Sequence, residues 1–194
     1  MAITVERESL STKSRFVSPT FTDRAGVQQV VGSDKPMPIE SIEELRLIEG
    51  KSFALGVVRD FANPLAAGAS IDIAIAFPAG VAPSISIAGL CAGNAMGYLY
   101  EGASVSGGTS ITPINKNRDS TTASQGVALL NPTVASLGTT ILSQILIGGE
   151  GKKASGGNVD GSDLILKPLT TYLFRLTNVN GTAHAAEIIL GWYE

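Results

Sequence analysis

From Ser70 to Phe77 the chain reads SIDIAIAF, an unbroken alternation that puts Ile71, Ile73, Ile75 and Phe77 on one side and Asp72, Ala74 and Ala76 on the other. Only a strand, whose side chains point to opposite faces at each step, turns that order into one continuous apolar face. Pro78 and Gly80 end the run, and Ser84-Ile85-Ser86-Ile87 resumes it beyond a turn carrying Pro83. The same signal places strands over 53–58, 96–101, 126–130, 141–147, 164–167, 172–177 and 187–193, so about eight to ten strands are expected. In the last of these, Ile188, Leu190 and Trp192 share a face. Trp192 is expected at the margin of the core, with Gly191 on the opposite face leaving room for a close neighbour.

One segment breaks the strand pattern. Residues 36–52 carry a helix signature, with Pro38 ahead of Ser41 as N-cap, Glu44 closing a capping box and Gly50 as the stop. Residues 1–35 are polar, rich in Ser and Thr, and hold only scattered apolar anchors such as Phe16, Phe21 and Val27. That is poor material for a self-contained fold and reads as an extended arm, either a strap over a neighbouring subunit or a frayed tail. The sequence thus divides into an arm (1–35), a short helical segment (36–52) and a β-domain (53–194). Strand spacing varies and several connections exceed hairpin length, above all 104–124, so crossovers between two sheets are expected: an all-β, jelly-roll-like β-sandwich. No repeat of 20–50 residues, the mark of a solenoid or propeller, is visible.

Composition shifts the picture toward contact. A chain of 194 residues buries roughly 70% of its unfolded surface, enough for a core without staples. With 44% hydrophobic and 16% charged residues and 22 Gly, and a mean hydropathy of +0.24, it is apolar for a monomer surrounded by water. Part of its surface is therefore expected to be covered by copies of itself or by a partner. A net charge of −3, with no basic run beyond Lys152-Lys153, argues against nucleic acid as a ligand. The amino end shows no signal-peptide pattern and no stretch is long and apolar enough to span a membrane, so no membrane partner is expected. Cys91, the one cysteine, excludes an intrachain disulfide and reads as a small buried hydrophobe in a strand, suited to synthesis in a reducing cell interior.

Candidate chemistry is sparse. His184, the single histidine, sits between alanines in an expected loop and reads as solvated. One Cys and one His do not make a zinc site, and no cofactor is expected. The Gly-rich IGGEGKKASGG fails the phosphate-loop spacing, because Leu146 stands five residues before Gly151 and Lys152 is followed by Lys153. It reads as a flexible hairpin between Ile147 and Leu164. Asn158, Asp160 and Asp163 form a fragment of a calcium loop without its bidentate Glu. Asn180-Gly181-Thr182 matches a glycosylation triplet but reads as a hairpin turn between the last two strands. Asp60, Asp72, Glu101 and Glu187 share no motif, which ranks a carboxylate-pair hydrolase last. The polar run Asn115, Lys116, Asn117, Arg118, Asp119, Ser120 has side chains that bond backbone and fix a long loop. Its functional alternative is an inter-subunit patch with Arg118 as a forked donor across the contact.

Several words in the second half of the chain belong together: Leu99-Tyr100-Glu101-Gly102, Asn115 to Ser120, Leu166-Lys167-Pro168 with Thr171-Tyr172-Leu173, Arg175-Leu176-Thr177-Asn178, and Trp192-Tyr193-Glu194. In that order they resemble virion proteins of tailed bacteriophages over about residues 95–194. The resemblance implies a non-enzymatic capsid decoration or cement subunit, commonly a homotrimer seated where major capsid proteins meet, on the outer surface of a particle assembled in the host cytoplasm. The arm, with Phe16 and Phe21, would then strap the capsid surface. The competing expectation is a tail, baseplate or fibre-associated sandwich that recognises a host glycan, with Tyr98, Tyr100, Tyr172 and Tyr193 as aromatic platforms.

Overall fold

The structure, a computed structural model, describes residues 20–22, 28–30, 42–146, 157–158 and 164–194. The chain forms two compact units, residues 1–41 and 42–194. In the first, β1 (Thr20–Thr22) pairs antiparallel with β2 (Gln28–Val30), Phe21 opposite Gln29. Phe16, Ser41, Asp160 and Asp163 lie outside the described residues, and with them the strap, N-cap and calcium-loop readings.

The second unit opens with α1 (Ile42–Ile48) and continues through β3 (Ser52–Arg59), β4 (Ser70–Ala76), β5 (Ser84–Cys91), β6 (Ala95–Glu101), β7 (Ser104–Ser106), β8 (Thr109–Ile111) and β9 (Ile114–Asn115). β10 (Val127–Leu130), β11 (Thr133–Ser136), β12 (Thr139–Leu146), β13 (Gly157–Asn158), β14 (Leu164–Ile165), β15 (Thr171–Asn178) and β16 (Ala186–Tyr193) follow. One sheet runs β12-β6-β15-β4-β10-β8, the other β13-β5-β16-β3-β9 with β14 also on β5, and every pairing is antiparallel. Along β3, β4, β5, β6, β12, β14, β15 and β16 the chain changes sheet at every step except β6 to β12, so β4-β15-β6-β12 faces β3-β16-β5-β14. That interleaving is the jelly roll.

Glycine ends the helix as the sequence predicts. Gly50 takes a φ of 68°, and Lys51 N–H and Gly50 N–H donate to the Arg46 and Leu47 carbonyls at 2.9 and 3.1 Å, the paired bonds of a Schellman stop. Among the described residues no helix is long and apolar enough to cross a membrane.

The inner faces supply the core: Ile71, Ile73, Ile75 and Phe77 from one side meet Phe53, Ile188, Leu190 and Trp192 from the other. Trp192 is not at the margin. It is 1% exposed, with ring centroids of Phe53 and Phe77 at 6.1 and 6.0 Å, because β16 is the central strand of its sheet. The second face of β4 is buried too, since β7 and β11 pair over the outside of the sheet and close a smaller cluster of Ala74, Leu173, Tyr100 and Val105.

Three connections differ from the sequence reading. β15 and β16 lie in different sheets, so Asn180-Gly181-Thr182 belongs to a crossover and not to a hairpin turn. The chain from β12 to β14 also changes sheet, with β13 annealed to β5 on the way. Residues 104–124 hold β7, β8 and β9. An alternation of two or three residues, as in β7, β8, β9 and β13, is too short to show, and the partners of longer strands such as β15 and β16 are decided by inter-sheet packing that no local turn composition encodes.

Candidate functional site

Titratable groups are tied into the fold. Arg175 on β15 stands opposite Asp72 on β4 and donates through Nε and Nη2 to its two carboxylate oxygens at 2.7 and 2.6 Å. The bidentate bond to the Asp72 carboxylate favours the charged guanidinium and raises its pKa further, outweighing the opposite effect of partial burial. Glu101 accepts from Lys167 Nζ at 2.7 Å and from the Tyr172 hydroxyl at 2.8 Å. Those two donors hold the carboxyl below its usual range, while the same bond raises Lys167 and burial pushes the Tyr172 phenol up. Glu194 accepts from Ser124 Oγ, Gln125 N–H and Trp192 Nε1, and Asp60 caps the turn at Ala62 and Asn63. His184 is half-buried rather than solvated: its backbone bridges Leu65, its Nε2 meets Thr182 Oγ1 at 3.0 Å, and its ring packs on Gly93. Cys91 is buried in β5, as expected. Among the described residues no three His, Cys, Asp or Glu side chains gather as a metal site would require.

The polar loop is built around Asn115. Its buried amide donates to the Gly50 and Thr122 carbonyls at 2.8 and 2.9 Å and its oxygen accepts from Asn117 N–H at 2.9 Å. Asn117 in turn donates to the Ile48 carbonyl at the end of α1 and accepts from Asp119 N–H. Both asparagines therefore fasten loop to helix. Arg118 and Asp119 are exposed, with Arg118 Nη1 reaching the Asn115 carbonyl at 3.3 Å.

Of the aromatic candidates, Tyr172 lies in the core. Tyr98 and Tyr100 share the outer face of β6 and stack with centroids 5.7 Å apart. Tyr100 is covered, and burial raises its phenol. A cleft of about 220 Å³ opens between the sheets where Gly89 and Gly97 leave space, lined mainly by Leu99, Leu142, Phe174 and Ile188.

The surface that sequence reasoning missed is the outer face of β3-β16-β5. Register places Val58, Glu187 and Leu90 in one row across the three strands, Gly56, Ile189 and Ala88 in the next, and Ala54, Gly191 and Ser86 in the third. Val58 is 60% exposed, Ile189 39% and Leu90 36%, with Phe61 at 85% beyond the first row. A Cβ on Gly56 would meet nothing within 4 Å. Below the third row α1 contacts β3 and β16 and covers Ser52 and Ser84. The face above it is thus apolar and open to solvent, and its three rows carry one acid, Glu187. The alternation of β3 and β16 is present in the sequence, but apolar residues on both faces of a strand give no sign of which one stays bare.

Against known family models, curated proteins and solved structures, this chain finds no match. The class that the structure itself defines is a jelly-roll β-sandwich with an uncovered apolar sheet face.

Proposed function

We propose that this chain is a non-enzymatic structural component of a tailed-bacteriophage particle, a capsid decoration or cement protein that binds the assembled lattice of major capsid protein on its outer surface after synthesis in the host cytoplasm. The observation that carries the reading is the open apolar face, together with the structural partners that Asp60, Asp72 and Glu101 each bond. Large exposed apolar patches on a sandwich are contact surfaces. The motifs that resemble virion proteins support the reading from a second side. A cement subunit that binds only the finished shell stabilises it by mass action, with many modest contacts multiplied by symmetry. The resemblance adds a homotrimer as the form in which copies sit on the shell.

The test is to mix the purified protein with expanded shells lacking decoration and follow co-sedimentation and the melting temperature of the shell. Stoichiometric binding and a higher melting temperature are expected. No co-sedimentation, with the shell melting unchanged, overturns the reading. The glycan alternative draws on the Tyr98–Tyr100 stack, but Tyr100 is covered, so Tyr98 is the ring of that pair open to a sugar. Carbohydrate binding that disappears in Tyr98→Ala would favour it instead.

A further inference from the structure

We propose that the outer face of β3-β16-β5 pairs with the same face of a second copy about a two-fold axis that runs across the strands near Ile189. This goes beyond the virion reading, in which the same face meets the shell: in the free protein a second copy covers it, and the two contacts exclude each other. The occupant follows from how the face maps onto itself. With the strands of the two sheets packed in alignment, a two-fold axis in the plane of contact has two directions open to it, along the strands or across them. If it ran along the strands, Glu187 would meet Glu187 of the other copy, two carboxylates against each other in an apolar contact, which is unfavourable. If it runs across them, β16 lies antiparallel over β16 and each row meets the row on the other side of Ile189.

In that second arrangement the contacts complement one another. Val58 lies over Ala54, Leu90 over Ser86, and Glu187 over Gly191, so each larger side chain faces a smaller one. Lys116 completes the match. Its side chain reaches over Gly191, with Nζ 3.2 Å from where a Cβ would stand, so the ammonium occupies the spot that Glu187 of the second copy reaches. Among the described residues neither Glu187 nor Lys116 has an ion-pair partner within its own copy. The symmetry supplies that pair twice, and Ile189 meets Ile189 on the axis. An isologous contact of this kind closes at two copies, because the same patch serves both sides. A trimer requires two different patches, head to tail.

The face spans three central strands, about 15 Å, by five residues of β16, about 17 Å. That lies below the roughly 800 Å² per partner of a standard interface, so the pairing is weak and must be measured at high concentration. Sedimentation equilibrium of the full chain over roughly 5–500 µM is expected to show a monomer–dimer equilibrium that weakens with salt. Glu187→Lys and Lys116→Glu should each raise the dissociation constant about tenfold or more, since attraction becomes repulsion at two sites. The double variant, with the charges exchanged, should return close to the wild-type value. Ile189→Asp should leave only monomer, with circular dichroism showing the fold intact. A protein that stays monomeric throughout, a trimer, or a dimer indifferent to both charge reversals would overturn the proposal. So would a face shielded from labelling only when the protein is bound to a shell.

Discussion

Asn178 holds the corner where the chain leaves one sheet for the other. It is wholly buried, and its amide donates to the carbonyls of Leu65, Ala66 and Thr182 while its oxygen accepts from Asn180 N–H. In Asn178→Ala these buried groups lose their partner with no water to replace it, which costs about 2–4 kcal/mol. Scanning calorimetry should show a melting temperature lower by about 5–15 °C for a chain of this size. Glu101 gives a pH-dependent case. Its folded pKa is lowered from the ordinary 4.5, so the folded state holds fewer protons near that pH than the unfolded one. Its contribution is complete above 4.5 and lost as pH falls through the folded value. Lys167 and Tyr172 are raised from 10.5 and 10.0, so theirs are present below those values and lost as pH rises past them. Thermal melts from about pH 7 to 3 should therefore show Glu101→Gln less stable near neutrality and converging on the wild type in acid. These two residues also show what the virion-like words are made of. Glu101 of Leu99-Tyr100-Glu101-Gly102 bonds Lys167 and Tyr172 of Leu166-Lys167-Pro168 and Thr171-Tyr172-Leu173, Arg175 bonds Asp72, and Asn178 ties the corner. These words are fastenings of one sandwich.

At the scale of elements, the long strands were legible and the short ones were not. The runs 53–58, 70–77, 96–101, 172–177 and 187–193 alternate over six or more residues, and each became a strand within a residue or two. β7, β8, β9 and β13 have two or three residues, mostly Ser, Thr, Gly or Asn, and are strands only because a neighbouring backbone is there to pair with. The ribbon of β7 and β11 shows the consequence: it covers Ala74 and Leu173 and so turns the outer side of β4, which the sequence offers as its solvent face, into a second core. The turn into β12 is fixed by Gly138, at a φ of 76°. A Cβ there would press on the Glu101 carbonyl oxygen and stand 2.7 Å from the Gly102 carbonyl carbon. Gly138→Ala therefore combines a left-handed backbone with a clash against backbone that has nowhere to move, a loss of about 2 kcal/mol or more. Urea denaturation followed through Trp192 emission should give a lower midpoint at an unchanged slope.

On the scale of the whole molecule, the period-two alternation and the turn residues between its runs were enough to determine an all-β chain, because each is a property of neighbouring residues. They also exposed the polar run at Asn115, yet not that Asn115 and Asn117 turn inward to hold α1. Only the tertiary structure decided the rest. It placed the last strand between β3 and β5, which sinks Trp192 into the core, and it left Val58, Ile189 and Leu90 side by side on a bare face. Those residues are more than thirty positions apart in sequence at the nearest, between Val58 and Leu90, and nearly a hundred between Leu90 and Ile189. A surface assembled from three strands exists only after the strands have paired, and pairing in a jelly roll is set by how two sheets close over a shared core, not by any stretch of chain taken alone.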